Sequence, residues 1–274
     1  MSESTQTTVF GEELDSQLTI ETTGRVIRPF KQMVEQIIKP SRSRDTEYRL
    51  EFVEEGIHVQ MVDSANVIMI DATLHKEGLD TYELSNEFNI GVSNGILGPV
   101  VQHARYGVST DDEIRLDVSE EEIESEVTRD LHGVEATFTE RSAVIDEKSI
   151  RERPELPELD FSVSVDIPVR TWIDVIDALD TEYVNLVADN GLAFMRETDI
   201  ANTHVELDVP TSEKAESLYS MSYLEKISKA LHVGKVDEIT DLRFSDEFPL
   251  MLDFEREDMY SGTIMVAPRI QTND

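Results

Sequence analysis

The sequence predicts an α+β protein made of two similar domains, each with two helices on a mainly antiparallel sheet. Three observations carry that expectation. Apolar residues alternate along short runs punctuated by Gly, Asn and Asp. Longer runs space them as on one face of a helix. The order of these runs then occurs a second time.

Residues 1–16 are polar and aperiodic, which predicts a mobile N-terminal extension. LTIET, from Leu18, alternates as a strand. GRVIRPFKQMVEQII follows, with Val26, Ile27, Phe30, Met33, Val34, Ile37 and Ile38 on one helical face; Pro29 is expected in the first turn, where a missing N–H is harmless. YRLEFVEEGIHVQMVDSANVIMIDATL then reads as three strands joined by an EEG turn and an Asx-type turn. FNIGVS leads into a shorter helix, GILGPVVQHARY, and IRLDV and VEATFTE are strand-like.

Residues 146–160, DEKSIRERPELPELD, contain two prolines, alternating charge and few apolar side chains, and read as an extended linker. This places one domain at 17–145 and the other at 161–274. The earlier order returns after the linker. FSVSVDIPV is a strand and RTWIDVIDAL a helix. EYVNLVADNGLAFMRETDIANTHVELDV gives strands and turns, and SLYSMSYLEKISKALHVG a helix. TDLRFSDEFPLMLDFERED and GTIMVAPRI are strands. Glu47-Tyr48 matches Glu182-Tyr183, and Gly56 matches Gly191, both at an offset of 135. Asp63, Ala65 and Asn66 match Asp199, Ala201 and Asn202 at 136, and Asp71 matches Asp208 at 137. Ile114-Arg115-Leu116 resembles Leu242-Arg243-Phe244. Shared order across helices and strands marks an internal repeat.

The 274 residues include 24 Lys plus Arg against 58 Asp plus Glu, a net charge of −34. At 39% hydrophobic residues the chain can still build a core, so it is not a disordered acidic polymer. The simplest account of the charge is a solvated surface in a salt-rich cytoplasm, where the Debye length falls to about 3 Å near 1 M. No apolar run approaches the ~20 residues of a membrane span. MSESTQTTVFGEELD lacks the basic start and apolar core of a secretory signal, so a cytoplasmic protein without a membrane partner is expected. The absence of cysteine excludes disulfides, thiolate metal sites and cysteine nucleophiles. His58, His75, His103, His132, His204 and His232 are scattered without zinc-like spacing, and no GxSxG, P-loop or dinucleotide fingerprint occurs. Neither catalysis nor a cofactor is expected.

Acid is not spread evenly. The helical segments 24–40, 93–106, 168–180 and 217–235 hold only 5 of the 58 acids, where an even spread would place about thirteen. Their basic residues are Arg25, Arg28, Lys31, Lys39, Arg105, Arg170, Lys226, Lys229 and Lys235. A surface built from these helices is the least repulsive one for a polyanion.

GIHVQMVDSANVIMIDATLHKEGLDTYEL, SYLEKISKAL, LRFSDEFPLMLDF and the C-terminal MVAPRI together resemble the DNA sliding clamp of archaea and eukaryotes, the PCNA family. The resemblance runs over about residues 17–270 and is weakest at 119–145. It implies a homotrimeric, pseudo-six-fold ring that encircles double-stranded DNA and serves as a polymerase processivity factor near the nucleoid. Its partners would be DNA polymerase, the clamp loader and other proteins carrying a PIP box. The edges pairing between neighbours would lie near Gly133–Arg141 and Ile200–Val209. The nine basic residues above would face DNA, while Val62, Asn66, Ile150, Pro249, Met265, Val266, Ala267 and Pro268 would form the groove for partners. Met265 stands where the family often has Tyr.

The DNA face departs from the family. Asp174 and Asp177 replace Arg, Pro99 and Gln102 replace Lys, and Glu35 replaces another Lys. Two expectations follow. Solvent cations held by the acidic surface mediate part of the approach to phosphate. Alternatively, the chain is an interaction protein or hetero-ring subunit of clamp fold that does not itself encircle DNA.

Overall fold

The structure, a computed structural model, describes residues 15–38, 47–93, 108–145, 159–197, 202–211 and 213–269. The expected extension (before residue 15), the helix beyond Ser93 and the linker before residue 159 lie outside the described residues.

The first half contributes β1 (Leu18–Thr23), α1 (Gly24–Ile38), β2 (Glu47–Val53), β3 (Gly56–Val62), β4 (Ile68–His75), β5 (Thr81–Leu84), β6 (Phe88–Ser93), β7 (Glu113–Val118), β8 (Glu122–Asp130) and β9 (Glu135–Ala143). The second half contributes β10 (Val163–Ile167), α2 (Val169–Ala178), β11 (Tyr183–Ala188), β12 (Leu192–Glu197), β13 (Asn202–Leu207), β14 (Ala215–Ser220), α3 (Met221–Gly234), β15 (Glu238–Phe244), β16 (Leu250–Arg256) and β17 (Tyr260–Val266).

All strand pairing among the described residues is antiparallel. One sheet runs β5-β1-β7-β8-β9, a second β10-β15-β16-β17-β4-β3-β2-β6, and a third β13-β12-β11-β14. The repeat is visible in this order. The run β1-β7-β8-β9 matches β10-β15-β16-β17, and β6-β2-β3-β4 matches β14-β11-β12-β13. The halves join where β4 pairs with β17, from Tyr260 opposite Leu74 to Val266 opposite Ile68. The equivalents of those two strands, β13 and β9, have a neighbour on one side only among the described residues.

The helices pack as one layer, α1 against α3 and α3 against α2, with α1 also resting on β4. Alternation puts Ile68, Ile70, Ala72 and Leu74 of β4 into the core beneath them, continuous with Phe30, Met33, Trp172, Leu224 and Tyr260. Two glycines permit close packing. A β-carbon on Gly24, at the start of α1, would sit 1.8 Å from the Ser109 carbonyl oxygen. One on Gly234 would sit 3.0 Å from the Met33 side chain on α1.

Three expectations need correction. Pro29 lies in the second turn of α1, because the helix begins at Gly24, so the carbonyl of Arg25 loses its intrahelical donor. Residues 217–220, expected at the start of a helix, belong to strand β14; Leu218 pairs with Asn185, and α3 starts only at Met221. Strand β8, EIESEVTRD, was not anticipated, because only Ile123 and Val127 mark its apolar face.

Candidate nucleic-acid and partner interfaces

The solvent side of the helical layer carries the expected basic residues, but they are not equivalent. Arg25 is exposed and lies 3.3 Å from Asp111. Arg28, one helical turn on, is exposed and has no ion-pair partner among the described residues. Lys31 differs from the expectation. Its side chain is only 12% exposed, and Nζ lies 2.8 Å from the buried carboxylate of Glu35 at i+4. That charge is spent inside the protein. Lys39 and Arg105 lie outside the described residues.

On α2 the exposed Arg170 pairs with Asp174 at 2.9 Å, and Asp177 is exposed one turn later. On α3, Lys229 pairs with Glu225 at 3.3 Å, and Lys226 lies over the Tyr223 ring, 5.1 Å from its centre. Lys235 caps α3 in a left-handed conformation (φ 53°) and is exposed. The unneutralised cations of the described layer are thus Arg28, Lys226 and Lys235. They suit a few phosphate contacts and offer no array for reading bases. Among the described residues no group of three His, Asp or Glu side chains is arranged to hold a metal ion.

The opposite face of the eight-stranded sheet carries the second candidate. Strand register sets Val62, Met69, Met265 and Met251 side by side across β3, β4, β17 and β16. Val62 and Met265 are half-buried, while Met69 and Met251 are buried. Methionine side chains adapt their shape to an apolar guest. Val266 corrects the expected lining. It is the next residue on β17, so its side chain points the other way, fully buried in the core. Ala267 and Pro268 continue beside the row, with the Ala267 N–H bonded to Val67 O at 2.8 Å. Pro249 is half-buried next to the exposed Phe248, whose carbonyl accepts from Tyr219 Oη at 2.7 Å. Ile150 lies outside the described residues.

Beside this row lies the turn after β3. Asp63 is buried. Its Oδ1 accepts the N–H groups of Val67 and Ile68 at 2.8 and 3.2 Å, and Asn66 takes a left-handed conformation (φ 56°). Met69, Met251, Asp63 and Tyr223 were missed from the sequence. The first two were legible from β-sheet alternation once register was known; a hydrogen bond between Tyr223 and Asp63, 160 positions apart, had no local signal.

The Proliferating cell nuclear antigen N-terminal domain family matches residues 30–124. A DNA polymerase sliding clamp of Natronomonas pharaonis is 33% identical over 83% of this chain and 91% of its own length. One of Haloarcula marismortui is 31% identical over 82% and 90%, and one of Pyrococcus horikoshii 28% identical over 86% and 94%. Among solved structures, A. fulgidus PCNA bound to the C-terminal region of FEN-1 aligns with a TM-score of 0.74 at 22% identity, covering 93% of this chain and all of that one. At that identity the match speaks for the fold.

Proposed function

The chain belongs to the PCNA family of DNA polymerase sliding clamps, processivity factors rather than enzymes, and from that premise we propose that three copies close into a ring around duplex DNA. The observation that carries this is the pair of open edges. Within the chain, a β17-type edge meets a β4-type edge. The same two edge types, on β9 and β13, are left over. A head-to-tail contact between copies repeats the internal joint and closes by rotation.

In that ring the helical layer faces the DNA. Arg28, Lys226 and Lys235 contact phosphates, with Arg25, Arg170 and Lys229 held back by their acidic neighbours. Solvent cations balance Asp174 and Asp177 as the polyanion passes. The methionine row, the Asp63 turn and the Ala267–Pro268 segment form a groove for the apolar anchors of a partner's PIP box, where DNA polymerase, the clamp loader and other replication proteins dock. The relative from A. fulgidus, bound to the C-terminal region of FEN-1, supports that kind of partner. The clamp makes and breaks no bond. It holds a polymerase on its template, so that rebinding becomes intramolecular.

Light scattering in concentrated KCl tests the assembly: the expected mass is about three times the 31.1 kDa chain. Retention on closed circular DNA after loading, and loss when the circle is cut, tests encirclement. A strict monomer at all salt concentrations overturns the ring and leaves the non-encircling interaction protein as the better reading.

A further inference from the structure

The internal joint contains more than a likeness of edges, because its register transfers residue by residue. Arg115 and Arg243 are equivalent in the repeated IRL and LRF segments. Arg115 stands opposite Glu126, which stands opposite Thr139. Arg243 stands opposite Met251, which stands opposite Met265. Thr139 is therefore the counterpart of Met265, and Val134 that of Tyr260. The hairpin ends agree: Leu131 and Val134 bond across the β8–β9 turn, as Arg256 and Tyr260 face each other across the β16–β17 turn. On the other edge, Gly56 matches Gly191, so Ile57 matches Leu192. Ile57 faces Leu74, and Leu192 faces Leu207, which makes Leu207 the counterpart of Leu74. Within the chain, Tyr260 faces Leu74.

Resting on the ring reading, in which β9 of one copy meets β13 of the next, we infer that closure depends on screening salt, because carrying over the register of the internal joint (Val134 opposite Leu207, Ala136 opposite Val205) sets the exposed Glu135 against the exposed Glu206.

Main-chain direction agrees with this register. The Leu131–Val134 bonds turn the N–H and C=O groups of Val134, Ala136 and Phe138 toward β8, and those of Glu135, Thr137 and Thr139 toward the open edge. On β4, the His75 N–H bonds Met259 O, so His75, Thr73, Asp71 and Met69 bond toward β17. In the same register their counterparts are Asp208, Glu206, His204 and Asn202, so Asp71 corresponds to His204 and not, as sequence spacing alone suggests, to Asp208. The hydrogen-bonded pairs between copies are thus Glu135 with Glu206 and Thr137 with His204, and the side chains at Val134, Ala136, Leu207 and Val205 share the core-side face.

Burial points the same way. Tyr260 is fully buried against its neighbours, whereas Val134, in the equivalent place, is 67% exposed. A second copy's Leu207 is the apolar cover that the internal joint supplies through Leu74. The charge differs between the joints. Ser261 faces Thr73 inside the chain, while the equivalent pair between copies is two exposed carboxylates with no ion-pair partner among the described residues. Like charges directly opposite on antiparallel strands weaken pairing, and concentrated salt screens them.

The chain has no cysteine, so disulfide trapping reads the contact without background. A double variant Ala136→Cys with Val205→Cys is expected to form covalent dimers and trimers on mild oxidation in concentrated KCl. Ala136→Cys with Leu207→Cys, two residues out of register, is expected to stay monomeric on a denaturing gel. Glu135→Gln is expected to lower the KCl concentration for half-maximal trimer about threefold. Cross-linking of the shifted pair alone, in a protein that is trimeric by light scattering, overturns the register and leaves the ring. A trimer whose KCl midpoint is unmoved by Glu135→Gln and by Glu206→Gln overturns the charge conflict. Absence of any trimer overturns the ring itself.

Discussion

The hydroxyl of Tyr223, on the helical layer, donates to Oδ2 of Asp63 across 3.3 Å, while Asp63 Oδ1 holds the turn beside the partner groove. The turn that follows Val62 and carries Asn66 is thereby fixed from the helical layer. Burial and the nearby Asp63 charge raise the Tyr223 pKa, so the hydroxyl keeps its proton for this bond at neutral pH. Tyr223→Phe retains the ring beneath Lys226 and removes only the donor. Affinity for a PIP-box peptide, measured by calorimetry, is expected to fall about three- to tenfold, near 1 kcal/mol, with the oligomeric state unchanged. Unaltered affinity would mean that the turn holds itself.

Arg28 and Lys31 sit one turn apart on α1 and should behave differently toward DNA. Arg28→Ala is expected to make the dependence of log affinity on log salt shallower by about one phosphate contact. Lys31→Ala should leave the slope unchanged, since its charge already pairs with Glu35, and should instead lower the unfolding midpoint. Equal slope changes for both variants would refute this division.

Gly234 marks where α3 crosses α1. Gly234→Val places branched carbons where even a β-carbon lies 3.0 Å from Met33. Overpacking of this kind costs about 1–3 kcal/mol. Denaturant unfolding in concentrated KCl is the measurement, and a variant as stable as the parent would show that the helices can part there.

Tyr82 sets an alkaline limit. Its hydroxyl reaches the carbonyl oxygens of Val53 and Gly56, both at 2.8 Å, stapling the β2–β3 hairpin. Burial first, then the charge of Glu87, raises its pKa above the ordinary 10.0. The folded state thus favours the neutral phenol more than the unfolded state does. That stabilisation is complete below pH 10 and is lost as pH climbs through the raised value. Tyr82→Phe should be less stable by about 1 kcal/mol at pH 7 and should lose part of the alkaline slope of the parent. An unchanged slope in thermal melts between pH 9 and 11 would contradict the assignment.

The sequence disclosed what is periodic or local. The apolar stripe from Val26 to Ile38 specified α1, and the spacing of Gly56 and Gly191 exposed the repeat. Long-range relations were hidden. Nothing local says that β4 joins β17, that the i,i+4 pair of Lys31 and Glu35 is largely buried, or that Val266 turns to the core and leaves the outer face to Met265. The last follows from alternation only when the strand's buried side is known. The polar strand β8 escaped because its outer face is charged at Glu122, Glu124, Glu126 and Asp130, which masks a period carried by Ile123 and Val127 alone. At the groove, family likeness supplied residues by position, and register supplied Met69 and Met251.

The covalent chain already welds one kind of seam, that between β4 and β17. In a closed trimer every second seam is of this kind and cannot part without unfolding a sheet. On the ring reading, the doorway for DNA would lie between β9 and β13, and a loading machine would pry a short antiparallel ladder rather than bend the whole hoop. The strength of that latch is tunable through a handful of edge side chains while the walls on either side stay rigid.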